Sequence, residues 1–314
     1  MDKKPLIILT GPTAVGKTET SIQLAKKIGG EIISADSMQV YKGMDIGTAK
    51  IKTEEMDGVP HYLVDCLEPD EEFNVMIFQE KAKQYIEDIY RRRKIPIIVG
   101  GTGFYIQSVL YDIHFTKNQE PDGYREQLAK LAREKGEEYL HNKLKEIDAD
   151  SAKVIHPHNV KRVIRALEYY HFTGEPFSVH NKRERKNESP YTFLYVVLNM
   201  EREILYERIN RRVDKMMAEG LKEEVEQLLL KGYSNDLVSM QGLGYKELIP
   251  ALKNECSMEE AVYRLKRDTR HFAKRQLTWF RREKDVFMLE KTENTSVEET
   301  VNKILTMAKE RGVL

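Results

Sequence analysis

Gly11, Pro12, Thr13, Ala14, Val15, Gly16, Lys17 and Thr18 fit the pattern GxxxxGKT. In this loop the glycines let the backbone curl so that successive N–H groups, and the N-terminus of the helix that follows, face an anion. Such a loop works only between a strand and a helix, and the flanks provide both. Leu6, Ile7, Ile8 and Leu9 form an apolar run of the kind a parallel sheet buries on both faces, and residues 19–28 carry apolar side chains at helical spacing. Lys17 adds a cation, and the Thr18 hydroxyl is placed to ligate Mg²⁺. The chain therefore handles a phosphorylated ligand.

The first third alternates strands (6–9, 31–35, 61–64 and 95–99) with helices (19–28 and 74–92), a doubly wound pattern. After about residue 111 strands vanish until 191–198. The interval is charged and predicts helices over 124–145, 151–155 and 159–171, the last ended by Gly174, Glu175 and Pro176. Residues 182–186 read as a mobile solvated linker. Helices are then predicted over 202–230, 244–253, 257–284 and 296–311. The fold class is α/β: a P-loop NTPase-like parallel sheet flanked by helices, with an inserted all-helical subdomain. The core is expected over 1–114 and 191–314, and the insert over 115–190.

No long apolar run occurs in the 314 residues, and 40% hydrophobic content beside 32% charged residues suits a globular protein. A membrane span and export are not expected, and the cytoplasm is the expected location. Cys66 and Cys256 show no metal-ligand spacing, which argues against a structural zinc site or a disulfide framework. Lys plus Arg equal Asp plus Glu at 51 each. That balance argues against bulk non-specific nucleic-acid binding, but the cations cluster. Arg264, Lys266, Arg267, Arg270, Lys274, Arg275, Arg281, Arg282 and Lys284 face only Asp268 and Glu283 within that stretch. A helix there would be a positive rail.

Ligands of open α/β sheets bind beyond the carboxyl ends of the strands, so the residues just after each strand are the candidates. Asp36 follows the second strand, either to hold Mg²⁺ through water or act as a general base, or to cap a turn. Gly100, Gly101, Thr102 and Gly103 follow the fourth, as a site of close backbone approach or as a simple turn. Gly100 stands where a nucleotide hydrolase would place an acid for its Mg²⁺ shell, and Asp65 is a rival for that role. Arg208 and Arg212 share a helical face and suit a diphosphate, or are solvated. Residues 271–282 interleave bases with Phe272, Trp279 and Phe280, either to bind unstacked RNA or to bury an apolar face.

Seven segments in chain order carry a family resemblance: GPTAVGKT, SADSMQVYKGMDIGTAK, IPIIVGGTGFY, NVKRVIRALE, RINRRVDKMMAEGL, QGLGYKEL and KRQLTWFRR. Together they resemble the bacterial tRNA dimethylallyltransferase (tRNA isopentenyltransferase) family over most of the chain. The resemblance implies transfer of a dimethylallyl group from its diphosphate to N6 of adenosine 37 of tRNA, with the loop gripping the diphosphate instead of ATP. It implies Asp36 as general base, Thr102 beside the acceptor, and Thr18 with Mg²⁺ on the diphosphate. Arg212 and Arg208 would neutralise the developing charge. The implied tRNA contacts are Asp36, Ser37, Met38 and Gln39, Thr102, Arg125, and Lys161, Arg162, Val163, Ile164 and Arg165. They continue with Met240, Gln241, Gly242, Leu243, Gly244 and Tyr245, then Lys274, Arg275, Gln276, Leu277, Thr278, Trp279, Phe280 and Arg281. A monomer is expected.

Physical chemistry fits these roles. Cleaving an allylic C–O bond puts negative charge on the phosphates, which cations and backbone N–H groups stabilise more in the transition state than before it. The adenine amine is a weak nucleophile and must shed a proton. It is also stacked in the anticodon loop, so base flipping is expected. Rival readings are a P-loop kinase or nucleotide hydrolase using Asp65, a nucleotide-gated RNA-binding protein, and an adenylate isopentenyltransferase acting on free nucleotide.

Overall fold

A computed structural model describes residues 3–115, 122–184 and 186–314. Two compact units emerge, one formed by residues 1–110 and 190–314 and the other by 111–189.

The larger unit begins with β1 (Lys4–Thr10), α1 (Lys17–Ile28), β2 (Gly30–Ala35), β3 (His61–Tyr62), α2 (Val75–Arg91), β4 (Ile95–Gly100) and α3 (Gly103–Leu110). All strands run parallel in the order β3-β2-β4-β1, and the chain later adds two more beside β1. Leu6, Ile7, Ile8 and Leu9 are wholly buried, which is why β1 reads as an uninterrupted apolar run at the sheet's centre. Asn74 caps α2 by accepting from the N–H groups of Met76 and Ile77. Glu31, 2% exposed on β2, is neutralised by Arg92 and Lys94 and takes a hydrogen bond from Tyr62.

The smaller unit is wholly helical among its described residues: α4 (Tyr124–Lys135), α5 (Glu137–Ile147), α6 (Ala149–Val154), α7 (Val160–Thr173) and α8 (Phe177–Glu184). Its own core gathers Leu128, Leu140, Leu144, Ile155, Val163 and Leu167. The single helix expected over 124–145 is two, broken at Gly136 (φ 89°). The expected linker at 182–186 is instead the end of α8 up to Glu184, with Arg185 outside the described residues. Arg183 pairs with Glu175 and Lys182 with Asp150, so local ion pairs convert a charge run into ordered helix.

The larger unit resumes with β5 (Tyr191–Met200), α9 (Arg202–Ala218), α10 (Leu221–Leu230), α11 (Tyr245–Leu252), α12 (Met258–Phe280), β6 (Val286–Lys291) and α13 (Val297–Glu310). β5 pairs with β1, and β6 pairs with β5 to form the edge. Gly220 (φ 100°) divides the helix expected over 202–230. β6 was not expected at all: six residues at an edge, following a basic helix, carry too short a period to stand out. Ser257 and Ser296 cap α12 and α13. No described helix is long and apolar enough to cross a membrane.

Candidate active site at the carboxyl rim of the sheet

Because every strand is parallel, β1, β2 and β4 end on one rim, and the loop between β1 and α1 lies there. Ala14 (φ 66°) adopts a left-handed backbone that costs about 1 kcal/mol or more, a cost borne at functional turns. Its carbonyl accepts from Arg208 Nε at 3.0 Å, while Arg212 Nη1 lies 3.3 Å from Thr13 Oγ1. The two arginines, one helical turn apart on α9, thus flank the loop rather than project into solvent. Gln276 of α12 ties the loop to the end of β4: its Oε1 accepts from Thr13 N at 2.9 Å and its Nε2 donates to Gly101 O at 3.1 Å.

Lys17 folds back on its own loop, donating to the carbonyls of Gly11 (3.0 Å) and Pro12 (2.9 Å). Burial, then the field of Arg212, bring its ammonium down to about 8, with Asp36 pulling the other way. Burial and neighbouring Arg208 likewise lower Arg212. Cations crowded against like charge, with carbonyls as their partners, describe a site prepared for a polyanion.

Asp36 settles at the end of β2 with one oxygen occupied: Oδ1 accepts from Met38 N (2.9 Å) and Gln39 N (3.3 Å). The carboxylate caps its turn and also lines a cavity of about 50 Å³ with Lys17, Thr18, Ser34, Gln39 and Gly100. The two sequence readings of Asp36 are therefore compatible, because a carboxylate has two oxygens. A Cβ on Gly100 would stand 2.3 Å from the Ala35 carbonyl oxygen, so no acidic side chain fits where a hydrolase would carry one. Asp65 does not supply it either, since its carboxylate takes Lys50 Nζ at 2.7 Å and lies off the cavity. Thr18 and Asp36 offer a hydroxyl and a carboxylate oxygen on one cavity wall, a hard donor set of the kind Mg²⁺ takes together with phosphate oxygens and water. No cluster of three His, Cys, Asp or Glu occurs among the described residues, so an all-protein metal cage is absent there.

The segment after β2 is held by groups that the sequence reading passed over. Glu224 of α10 accepts from the backbone N–H of Asp45, Ile46 and Gly47 at 2.9, 2.7 and 3.0 Å and from the Tyr245 hydroxyl at 2.7 Å. Gln39 Nε2 donates to the carbonyls of Thr48 and Ala49. Nothing local marks Glu224, because its backbone partners lie 177 to 179 positions earlier and the Tyr245 hydroxyl 21 positions later.

Several side chains expected at the RNA are buried instead. Met240, Tyr245 and Phe280 have no exposed surface, and Gln276 is 6% exposed in its bridge. In the helical unit Val163 and Ile164 belong to the core, while Lys161 and Arg162 are exposed. Arg125 forms a fork with buried Glu168 at 2.8 and 2.5 Å. These apolar side chains hold the backbone under the surface; the polar ones between them carry the exposed face. The positive rail of α12 is shorter than its composition suggested. Arg264, Lys266 and Arg267 pair with Glu260, Asp214 and Asp268, and Arg270 donates to Asn210. Lys274, Arg275, Arg281, Arg282 and Lys284 remain, beside Trp279, which is 37% exposed and set edge-on to Phe104 at 6.2 Å.

The IPP transferase family profile matches residues 39–283. The tRNA dimethylallyltransferase of Lachnoclostridium phytofermentans is 60% identical over 311 residues, covering 99% of both chains. The solved tRNA delta(2)-isopentenylpyrophosphate transferase of Staphylococcus epidermidis is 48% identical, with a TM-score of 0.73 over 98% of this chain and 100% of that one. A solved eukaryotic dimethylallyltransferase acting on tRNA is 31% identical, with a TM-score of 0.85 over 99% of this chain and 79% of its own. With the family profile matching most of the chain and a relative 60% identical over 99% of it, the chain belongs to the IPP transferase family.

Proposed function

We infer that this protein is a tRNA dimethylallyltransferase: it moves a dimethylallyl group from dimethylallyl diphosphate to N6 of adenosine 37, releasing diphosphate. The observation that carries the chemistry is the cavity shared by Lys17, Thr18 and Asp36, which sets a carboxylate beside the phosphate loop. As the allylic C–O bond breaks, its electron pair goes to the diphosphate. Lys17, Arg212, Arg208 and the backbone N–H groups of Gly16, Lys17 and Thr18 are the groups that take up this charge. The adenine nitrogen forms the new C–N bond and loses a proton to the second oxygen of Asp36. Mg²⁺, on Thr18 and the phosphates, would add further charge neutralisation. Thr102, whose N–H is held by the Ala35 carbonyl at 3.2 Å, stands on the same rim and orients the acceptor.

The tRNA surface proposed comprises Ser37, Met38, Gln39, Gln241 and Leu243, with buried Gly242 and Gly244 shaping the turn, the exposed end of α12, and on the helical unit Lys161, Arg162, Arg165 and Arg125. Met240, Tyr245, Val163, Ile164, Leu277 and Phe280 support these positions from beneath, with Thr278 and Trp279 beside the cations. The substrate makes the cytoplasm the working compartment. A monomer is the working form we propose.

Labelled dimethylallyl diphosphate, Mg²⁺ and unmodified tRNA bearing adenosine at position 37 test this. Label enters that tRNA and not one with guanosine there, and ATP is not consumed. Consumption of ATP without transfer of label would favour the kinase or hydrolase instead.

A further inference from the structure

The strand missing from the sequence reading delivers a lysine to the phosphate loop. Lys291 is the last residue of β6, in register with Met200 of β5, so its side chain leaves the sheet at the carboxyl rim. The residue is 8% exposed. Its Nζ lies 3.3 Å from the position a Cβ would take at Gly16, and Arg208 Nη2 lies 3.9 Å from that same point. Two cations therefore converge on the residue that caps the N-terminus of α1.

A structural purpose does not explain this arrangement. The N-terminus of a helix carries partial positive charge and disfavours a cation. No carboxylate lies within 4.0 Å of the Lys291 ammonium among the described residues, so its charge has no fixed protein counter-ion there. Burial, then the field of Arg208, lower its proton affinity, with Glu19 acting weakly in the opposite sense. What the position suits is an anion lying along the loop.

We propose that Lys291 is a further diphosphate-binding residue, whose ammonium closes the Gly16 side of the loop opposite the carbonyls that hold Lys17. This rests on the loop being a diphosphate site. Lys291 meets charge already present in the bound donor as well as in the product, so it contributes to ground-state and transition-state binding alike. Its loss then raises KM for dimethylallyl diphosphate more than it lowers kcat.

The test is titration of inorganic diphosphate, with Mg²⁺, into the full-length wild type and the variants Lys291→Met, Lys291→Arg and Lys17→Ala, alongside thermal unfolding without ligand. Lys291→Met is expected to bind diphosphate about tenfold more weakly, the loss of one charge-assisted hydrogen bond, with Lys291→Arg recovering most of it. Its ligand-free Tm should stay level or rise, since a cation without a protein counter-ion beside Arg208 is removed; a structural role would lower it. Wild-type affinity in Lys291→Met beside weakened binding in Lys17→Ala would overturn the role of Lys291 alone. Unchanged affinity in both would overturn the loop as the diphosphate site, and Lys291 with it. A fall in ligand-free Tm with undiminished diphosphate affinity in Lys291→Arg and Lys291→Met would reassign the residue to support of the fold.

Discussion

Lys17 shows what burial does to a single cation. Its ammonium is charged below about pH 8 and is lost as pH rises through that value. The diphosphate affinity that depends on it is therefore expected to weaken about tenfold between pH 7 and pH 9, and Lys17→Met should remove that part of the profile. The sign for folding is opposite. An ordinary lysine holds its proton to 10.5, so charging the buried Lys17 opposes folding, and stability returns as pH climbs from 8 toward 10.5. Calorimetric titration of diphosphate across pH measures the first effect, and urea unfolding across pH measures the second. Lys17→Ala should also leave tRNA affinity unchanged; a selective loss of tRNA binding would contradict its placement.

At the scale of elements, the loop and the strands beside it were legible because their signals are local. An apolar run, a glycine pattern and a helical period fall within residues 6–28, and the structure places β1, the loop and α1 there. Contacts between distant elements left no such mark. Glu224 binds three backbone N–H groups almost 180 positions away, Gln276 joins α12 to two turns, and Lys291 arrives on an edge strand of six residues. Tyr245 shows the reverse: a residue read as an RNA contact is buried and donates to Glu224, and burial with that carboxylate nearby pushes its hydroxyl well above the ordinary tyrosine range. Glu224→Ala is expected to cost roughly 1–3 kcal/mol, the price of freeing backbone donors it now satisfies. Tyr245→Phe should cost less and leave tRNA affinity unchanged. A fall in urea midpoint at constant m-value checks the first, and a filter-binding assay the second.

For the whole molecule, zero net charge conceals an uneven surface. The N-terminal half of α12 is neutralised by local pairs, and the cations left for RNA are concentrated at its far end. Replacing Lys274 and Arg281 together by Ala should weaken tRNA binding and flatten its dependence on log salt by roughly 1.4–1.8, at about 0.7–0.9 for each phosphate no longer neutralised. KM for the prenyl donor should not move. An unchanged salt slope would remove this end of α12 from the RNA surface. On the proposed function, the two substrates meet different parts of the protein, with the reacting atoms joined at Asp36. The most direct measurement is single-turnover transfer by wild type and Asp36→Ala, with tRNA and dimethylallyl diphosphate both saturating. A fall of about a hundredfold or more, with both substrates still bound at wild-type affinity, is the result expected of a general base. A near-normal transfer rate in Asp36→Ala would contradict it.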